Sequence, residues 1–268
     1  MPATKSRQRL SSVLRRAGDL ISVDEATVEL GLERAAAAKL LARWHQQGWL
    51  KRIRRGLYAP VPLTSMPEDQ VLEDPWILVP ALFGPGYVGG ASAAQFWDLT
   101  EQLFRSVFVY TSKPIRRTNQ TIHAIQFVVR HLDAHLIFGV TPSWHGRIKV
   151  QVSDVHRTMI DMLDEPAAGG GIRHINDCLL AYFRRPDADT TKLVTYAERI
   201  GNGAIFKRLG FLAERINGPE NLIRACAERL TSGSVRLDPA LESVRLVRRW
   251  RLWVTDSWKR KPDQAQKA

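Results

Sequence analysis

Seven cations fall at spacings suited to holding phosphate. Arg34, Lys39 and Arg43 recur along a run of good helix formers, and Lys51, Arg52, Arg54 and Arg55 follow closely in a short basic run. Arginine and lysine bind the sugar-phosphate backbone, and arginine can also read guanine through two parallel hydrogen bonds in the major groove. The alanines between them, Ala35, Ala38 and Ala42, would let a helix approach a duplex closely. A merely solvated helix face has much the same composition, so the order of the surrounding elements has to decide between the two.

Other chemistry is less well served. Asp154, Asp161, Asp164 and Glu165 flank a predicted strand-to-helix junction, where nucleases hold Mg²⁺ with converging carboxylates. Asp154 and Asp161 share a helix face, but Asp164 and Glu165 lie near its end. Arg157 more simply pairs with Asp154 or Asp161 along the helix. His131 and His135 have the spacing of helical metal ligands, yet Asp133-Ala134 puts them in a strand-turn; with His123 and His145, in the same strand-rich region, they read as loop histidines. Gly84-Pro85-Gly86 and Gly89-Gly90 lack the closing Gly-Lys-Ser/Thr of a phosphate loop. Gly90-Ala91-Ser92-Ala93-Ala94 lacks the second glycine of a nucleophile elbow. No Ser-His-Asp or Cys-His constellation can be placed. The expectation is a non-enzyme with no cofactor and no metal site.

The elements around the cations are in the order of a winged helix-turn-helix. Asp24 to Leu30 reads as a short helix, Gly31-Leu32-Glu33 as a turn, and Arg34 to Gln47 as a second helix stopped by Gly48. Ala37, Leu40, Leu41 and Trp44 recur at helical spacing and make one buried stripe. Trp49 to Pro60 then reads as two short strands around Gly56, which places the second basic run on a wing. Before these, Ser6 to Ala17 is predicted helical, with Leu10, Val13 and Leu14 on one face.

Pro60, Pro62, Pro67 and the polar run between them suggest a linker with few contacts across it. Beyond it, Asp74 to Phe83 is expected to be an apolar helix, and Gly89 to about Leu99 a turn entering another. Strands are expected at 107–110, 122–129, 136–140 and 148–152. Ser153 is taken as the cap of a helix from Val155 to Leu163. The rest reads as mostly helical, at 175–184, 191–200, 204–216 and 220–230. Arg249 to Val254 alternates like a half-exposed strand, and Trp250 and Trp253 are read as structural, with base stacking the alternative.

Composition agrees with a polyanion partner. The chain has 268 residues, a net charge of +12 and two cysteines, and its isoelectric point is near 10.1. Residues 1–62 hold twelve Lys and Arg against five acids. A second basic cluster comprises Arg245, Arg248, Arg249, Arg251, Lys259, Arg260 and Lys261. Cys178 and Cys226 lie in apolar helical surroundings and read as buried thiols. No apolar run is long enough to span a membrane, and the expected location is cytoplasmic.

The order of features resembles the AbiEi-type antitoxins, the transcriptional-regulator half of abortive-infection toxin–antitoxin pairs. The residues that carry the resemblance are Gly48-Trp49-Leu50 with Arg55-Gly56-Leu57-Tyr58, Tyr87 to Ala94 with Trp97-Asp98-Leu99-Thr100, Val152 to Leu163, Gly169-Gly170-Gly171, and Lys207 to Leu212. His156 stands where the family commonly has Glu, so no role is carried to that position. The resemblance implies a DNA-binding repressor of its own operon, with operator DNA as partner. It also implies a nucleotidyltransferase-like toxin as functional partner, neutralised without a stable complex. The expected fold is α+β: a winged helix-turn-helix at 1–62, a mixed α/β antitoxin domain at 70–258 with a helical C-terminal half, and a polar tail at 259–268. The alternatives are a protein-binding module with secondary DNA binding, and a metal-dependent nuclease.

Overall fold

The computed structural model describes residues 2–17, 20–61 and 74–258. Most of the expected linker and the whole expected tail lie outside these residues. The chain is mixed α+β, with helices concentrated in its C-terminal part.

The N-terminal unit is built from α1 (Pro2–Ala17), β1 (Ile21–Ser22), α2 (Val23–Leu30), α3 (Arg34–Gln46), β2 (Leu50–Arg54) and β3 (Leu57–Pro60). Ser22 and Glu25 form a reciprocal capping box that starts α2, and Gly31 ends it in the left-handed conformation at φ +60°. Ala37, Leu41 and Trp44 are buried as their spacing requires, and Leu40 packs beside them partly buried. The Trp44 indole N–H donates to Ser6 Oγ at 2.8 Å, tying α3 to α1. Truncating a fully buried tryptophan of this kind costs about 3–5 kcal/mol. The wing is a three-stranded antiparallel sheet in the order β1-β3-β2.

A bulge between Arg52 and Arg54 turns β2 partway along its length. Leu50 therefore faces the winged-helix core, while Ile53 enters a different one. That second core unites Leu20, Ile53, Leu57 and Ala59 of the N-terminal unit with Ile77, Phe83, Val107 and Phe127 of the following unit. A shared apolar cluster thus links the two units across the proline-rich segment.

The second unit contains α4 (Leu78–Phe83), β4 (Gly86–Val88), α5 (Gly90–Phe96), β5 (Ser106–Thr111), β6 (Asn119–Ile122), β7 (Ile125–His131), β8 (Val140–His145), β9 (Ile148–Ser153) and α6 (Val155–Asp164). Its mixed six-stranded sheet has the order β6-β7-β5-β4-β9-β8. Two strand expectations are corrected. Residues 122–129 are split by a tight turn at His123-Ala124, and 134–136 form a 3-10 turn rather than the start of a strand. The cap of α6 is Asp154, whose carboxylate accepts the Arg157 N–H at 2.7 Å. Ser153 Oγ bonds Thr158 Oγ1 instead.

Four more helices, α7 (Ile172–Phe183), α8 (Thr190–Ile200), α9 (Gly203–Arg215) and α10 (Glu220–Glu228), pack with α6. A small sheet of β10 (Val235–Arg236), β11 (Arg245–Val247) and β12 (Leu252–Val254) covers them. Buried Arg208 donates to the carbonyls of Leu163, Asp164, Arg236 and Leu237, joining the end of α6 to the small sheet. The Trp250 ring lies so close on Gly210 that any side chain there would collide with it. Trp250 is fully buried in the turn between β11 and β12, not within a continuous strand, and Trp253 is half-exposed. Both cysteines are buried, which pushes their thiols up to about 12.

Candidate nucleic-acid interface

The outer face of α3 and the wing enclose an open groove of about 1020 Å³. Ala35, Ala38 and Ala42 of α3 line it together with three cations, Arg34 from α3 and Arg52 and Arg55 from the wing, and one acid, Glu33 at the start of α3. Small side chains here follow from the spacing of α3, because the bulky positions one turn apart are turned into the core. Arg34 is exposed at the start of α3 and forms an ion pair with Asp24 of α2. At the surface such a pair is weak and exchanges readily for a phosphate. The first turn of α3 also faces the groove, and helix N-termini favour anions.

The remaining sequence-predicted cations are divided. Lys39 and Arg43 are exposed on α3 but outside the lining of the groove, and Lys51 is half-buried. Arg54 leans the other way, donating Nη2 to the Ala81 carbonyl of α4 at 2.8 Å. His123 Nε2 lies 3.0 Å from the Arg52 carbonyl. Burial, followed by the Lys51 charge, lowers the His123 pKa, so at neutral pH the ring donates its N–H to that carbonyl. The wing is therefore held from behind by the second unit while its front faces the groove.

The carboxylates considered for a metal are separated by their partners. Asp154 caps α6 and accepts the Tyr196 hydroxyl at 2.8 Å, Asp164 accepts Asn202 at 2.6 Å, and Glu165 takes Arg130 at 2.5 Å. Asp161 pairs with Arg157 at 2.7 Å deep in the core. Among the described residues no group of three or more His, Cys, Asp or Glu side chains comes together to hold a metal. Arg157 is completely buried and also donates to the Tyr87 hydroxyl at 2.8 Å and the Leu136 carbonyl at 3.0 Å. Burial raises the Asp161 carboxyl to about 6 against the pull of Arg157.

One constellation was not legible from sequence. Ser143 Oγ lies 3.1 Å from His145 Nε2, and His145 Nδ1 lies 2.5 Å from Asp74 Oδ2. This corrects the expectation that no Ser-His-Asp set could be placed. The other Asp74 oxygen accepts the Trp76 N–H at 3.0 Å, and the Trp76 ring packs on the imidazole at 5.2 Å. The chain thus fixes the start of the second unit against β8.

With this geometry in place, the comparison with known proteins is informative about the N-terminal unit. Residues 8–61 match the family model of the AbiEi antitoxin transcriptional regulators. The match runs from within α1 through the wing and so includes the whole groove. The crystal structure of the RV2827C protein from Mycobacterium tuberculosis has the same fold, with a TM-score of 0.60 and 17% identity over 92% of this chain and 90% of that one. No curated protein matches the sequence. AbiEi regulators are a regulatory antitoxin family, and among the described residues here no helix is long and apolar enough to cross a membrane.

Proposed function

We propose that this protein is a sequence-specific DNA-binding repressor that autoregulates its own operon from the cytoplasm. Residues 1–62 form the DNA-binding unit and residues 70–258 the antitoxin domain. The antitoxin domain counteracts a nucleotidyltransferase-like toxin without a stable complex, and the protein acts by binding rather than by catalysis. The observation that carries the reading is the groove between α3 and the wing, lined by arginines from both and by the alanines of α3. α3 lies in the major groove with Arg34 at base edges, while Arg52 and Arg55 hold the backbone.

The test is a titration of the full chain with duplex from its own upstream region and with random duplex. Arg34→Ala weakens the upstream duplex more than the random one, by about 1–3 kcal/mol of discrimination if the contact is bidentate. Replacing Arg52 and Arg55 by alanine weakens both equally and flattens the salt dependence. Equal affinity of wild type for the two duplexes removes the repressor reading. A stably co-purifying toxin removes the claim that neutralisation needs no complex.

A further inference from the structure

A second groove, of about 890 Å³, opens behind the wing between α4 and the β5–β6 loop. Lys113, Arg116 and Arg117 line it together with Thr111, Asn119, Gln120 and Thr121, and the lining contains no Asp or Glu. From Gln102 to Leu132 the chain has no acidic residue at all. All three cations are exposed. The loop that carries them is anchored: Ile115 packs on the shared apolar core, Thr111 Oγ1 accepts the Lys113 N–H at 3.0 Å, and Gln120 Nε2 donates to the Arg117 carbonyl at 3.0 Å. Exposed cations on an anchored loop, with no acid in the lining and with amide and hydroxyl groups between them, suit a polyanion with regularly spaced phosphates.

Two contacts tie the wing to segments next to this groove. Arg54 reaches the carbonyl of Ala81, next to the groove residue Leu82, and His123, next to Ile122, holds the Arg52 carbonyl. Arg52 of β2 lines the first groove, and β2 is tied by these two contacts to the segments that flank the second, which its own residues do not line. We propose that this second groove binds the sugar-phosphate backbone of the same duplex, so that the second unit extends the DNA footprint past the wing. The inference rests on the DNA-binding reading above.

Full-length K113A/R116A/R117A, titrated with upstream and random duplex across a range of salt, tests it. The slope of log affinity against log salt should fall by about 0.9 for each phosphate that is no longer neutralised, roughly 2 to 3 in all. Hydroxyl-radical protection should shorten on one flank and persist at the centre, whereas R52A/R55A should lose the centre. The single variant Arg116→Glu, checked for an unchanged melt, gives the same direction with minimal change to the loop. An unchanged slope with full-length protection overturns this inference and leaves the winged-helix reading standing. Failure of the wild type to bind either duplex overturns both. Loss of single-stranded RNA binding with duplex binding intact would assign the groove to another partner and overturn it as well.

Discussion

Arg157 and Asp161 show what one buried residue pair can demand. Both are almost fully shielded from solvent, and Tyr87 supplies a hydroxyl to each. Replacing Asp161 by asparagine keeps the shape but strands a buried guanidinium charge, at a cost of about 3–5 kcal/mol. The apolar double variant R157M/D161L should cost much less, because both charges leave together. Denaturant melts of the single and double variants check this; equal losses would place the stabilisation in packing rather than in the pair. His156 makes a different demand. Its Nδ1 lies 2.8 Å from the Tyr182 hydroxyl, and burial lowers its pKa from 6.5. The unfolded ring then takes up a proton first as pH falls, so the contribution of His156 is complete above 6.5 and is lost as pH drops through the folded value. His156→Gln should flatten this part of the acid limb in melts between pH 7 and 5. An acid limb identical to wild type would show that the ring is protonated without penalty. The helical spacing announced the Arg157–Asp161 pair, but not its burial, which depends on Tyr87 and Leu136, far away in the chain, and nothing local announced the surroundings of His156.

Among the elements, those with local causes were legible. α3 follows from the helical spacing of Ala37, Leu41 and Trp44, and the wing from Gly56 between two short β-forming runs. The helices after Gly171 fall within a few residues of their expected bounds for the same reason. Long-range pairing set the elements that differ. The strand expected at 136–140 had suitable residues but no sheet neighbour, and the pairing partner of β9 begins only at Val140. The Asp74–His145 contact joins positions 71 residues apart, a separation at which spacing carries no information. The turn at His123-Ala124 has a physical disguise. Both residues take left-handed φ, at 51° and 63°, where a two-residue hairpin normally uses Asn-Gly. The strain is held because His123 is spent on the wing. Ala124→Gly should relieve it and raise stability by about 1 kcal/mol without altering DNA affinity. A thermal midpoint equal to or below that of wild type would mean that the turn is not strained.

At the scale of the whole molecule, composition is what a polyanion-binding chain would have and the order of elements indicated two units, but neither showed how tightly the units are joined. The bulge at Ile53 sends one wing residue into an interior shared with Phe83, Val107 and Phe127. Separate domains with few contacts would melt separately and could be cut apart. Units that share an apolar interior lose stability together when either is removed, because each leaves the other's buried surface open to water. Full-length protein should therefore show one calorimetric transition. Ile53→Asp should lower that transition or split it, since it places an unpaired charge in the shared interior. The same variant should weaken DNA binding although Ile53 lines neither groove, because Arg52 and Arg55 lose their support from behind. Two transitions in the wild type, or an Ile53→Asp variant with unchanged melt and affinity, would mean that the units are only juxtaposed. Residues 70–268 alone should then retain full stability, and their protection of cells from the toxin would report the second domain's own activity. If the interior is shared as argued, that fragment melts at a lower temperature, and its failure to protect counts against antitoxin activity in the second domain only where its melt is still cooperative at the growth temperature.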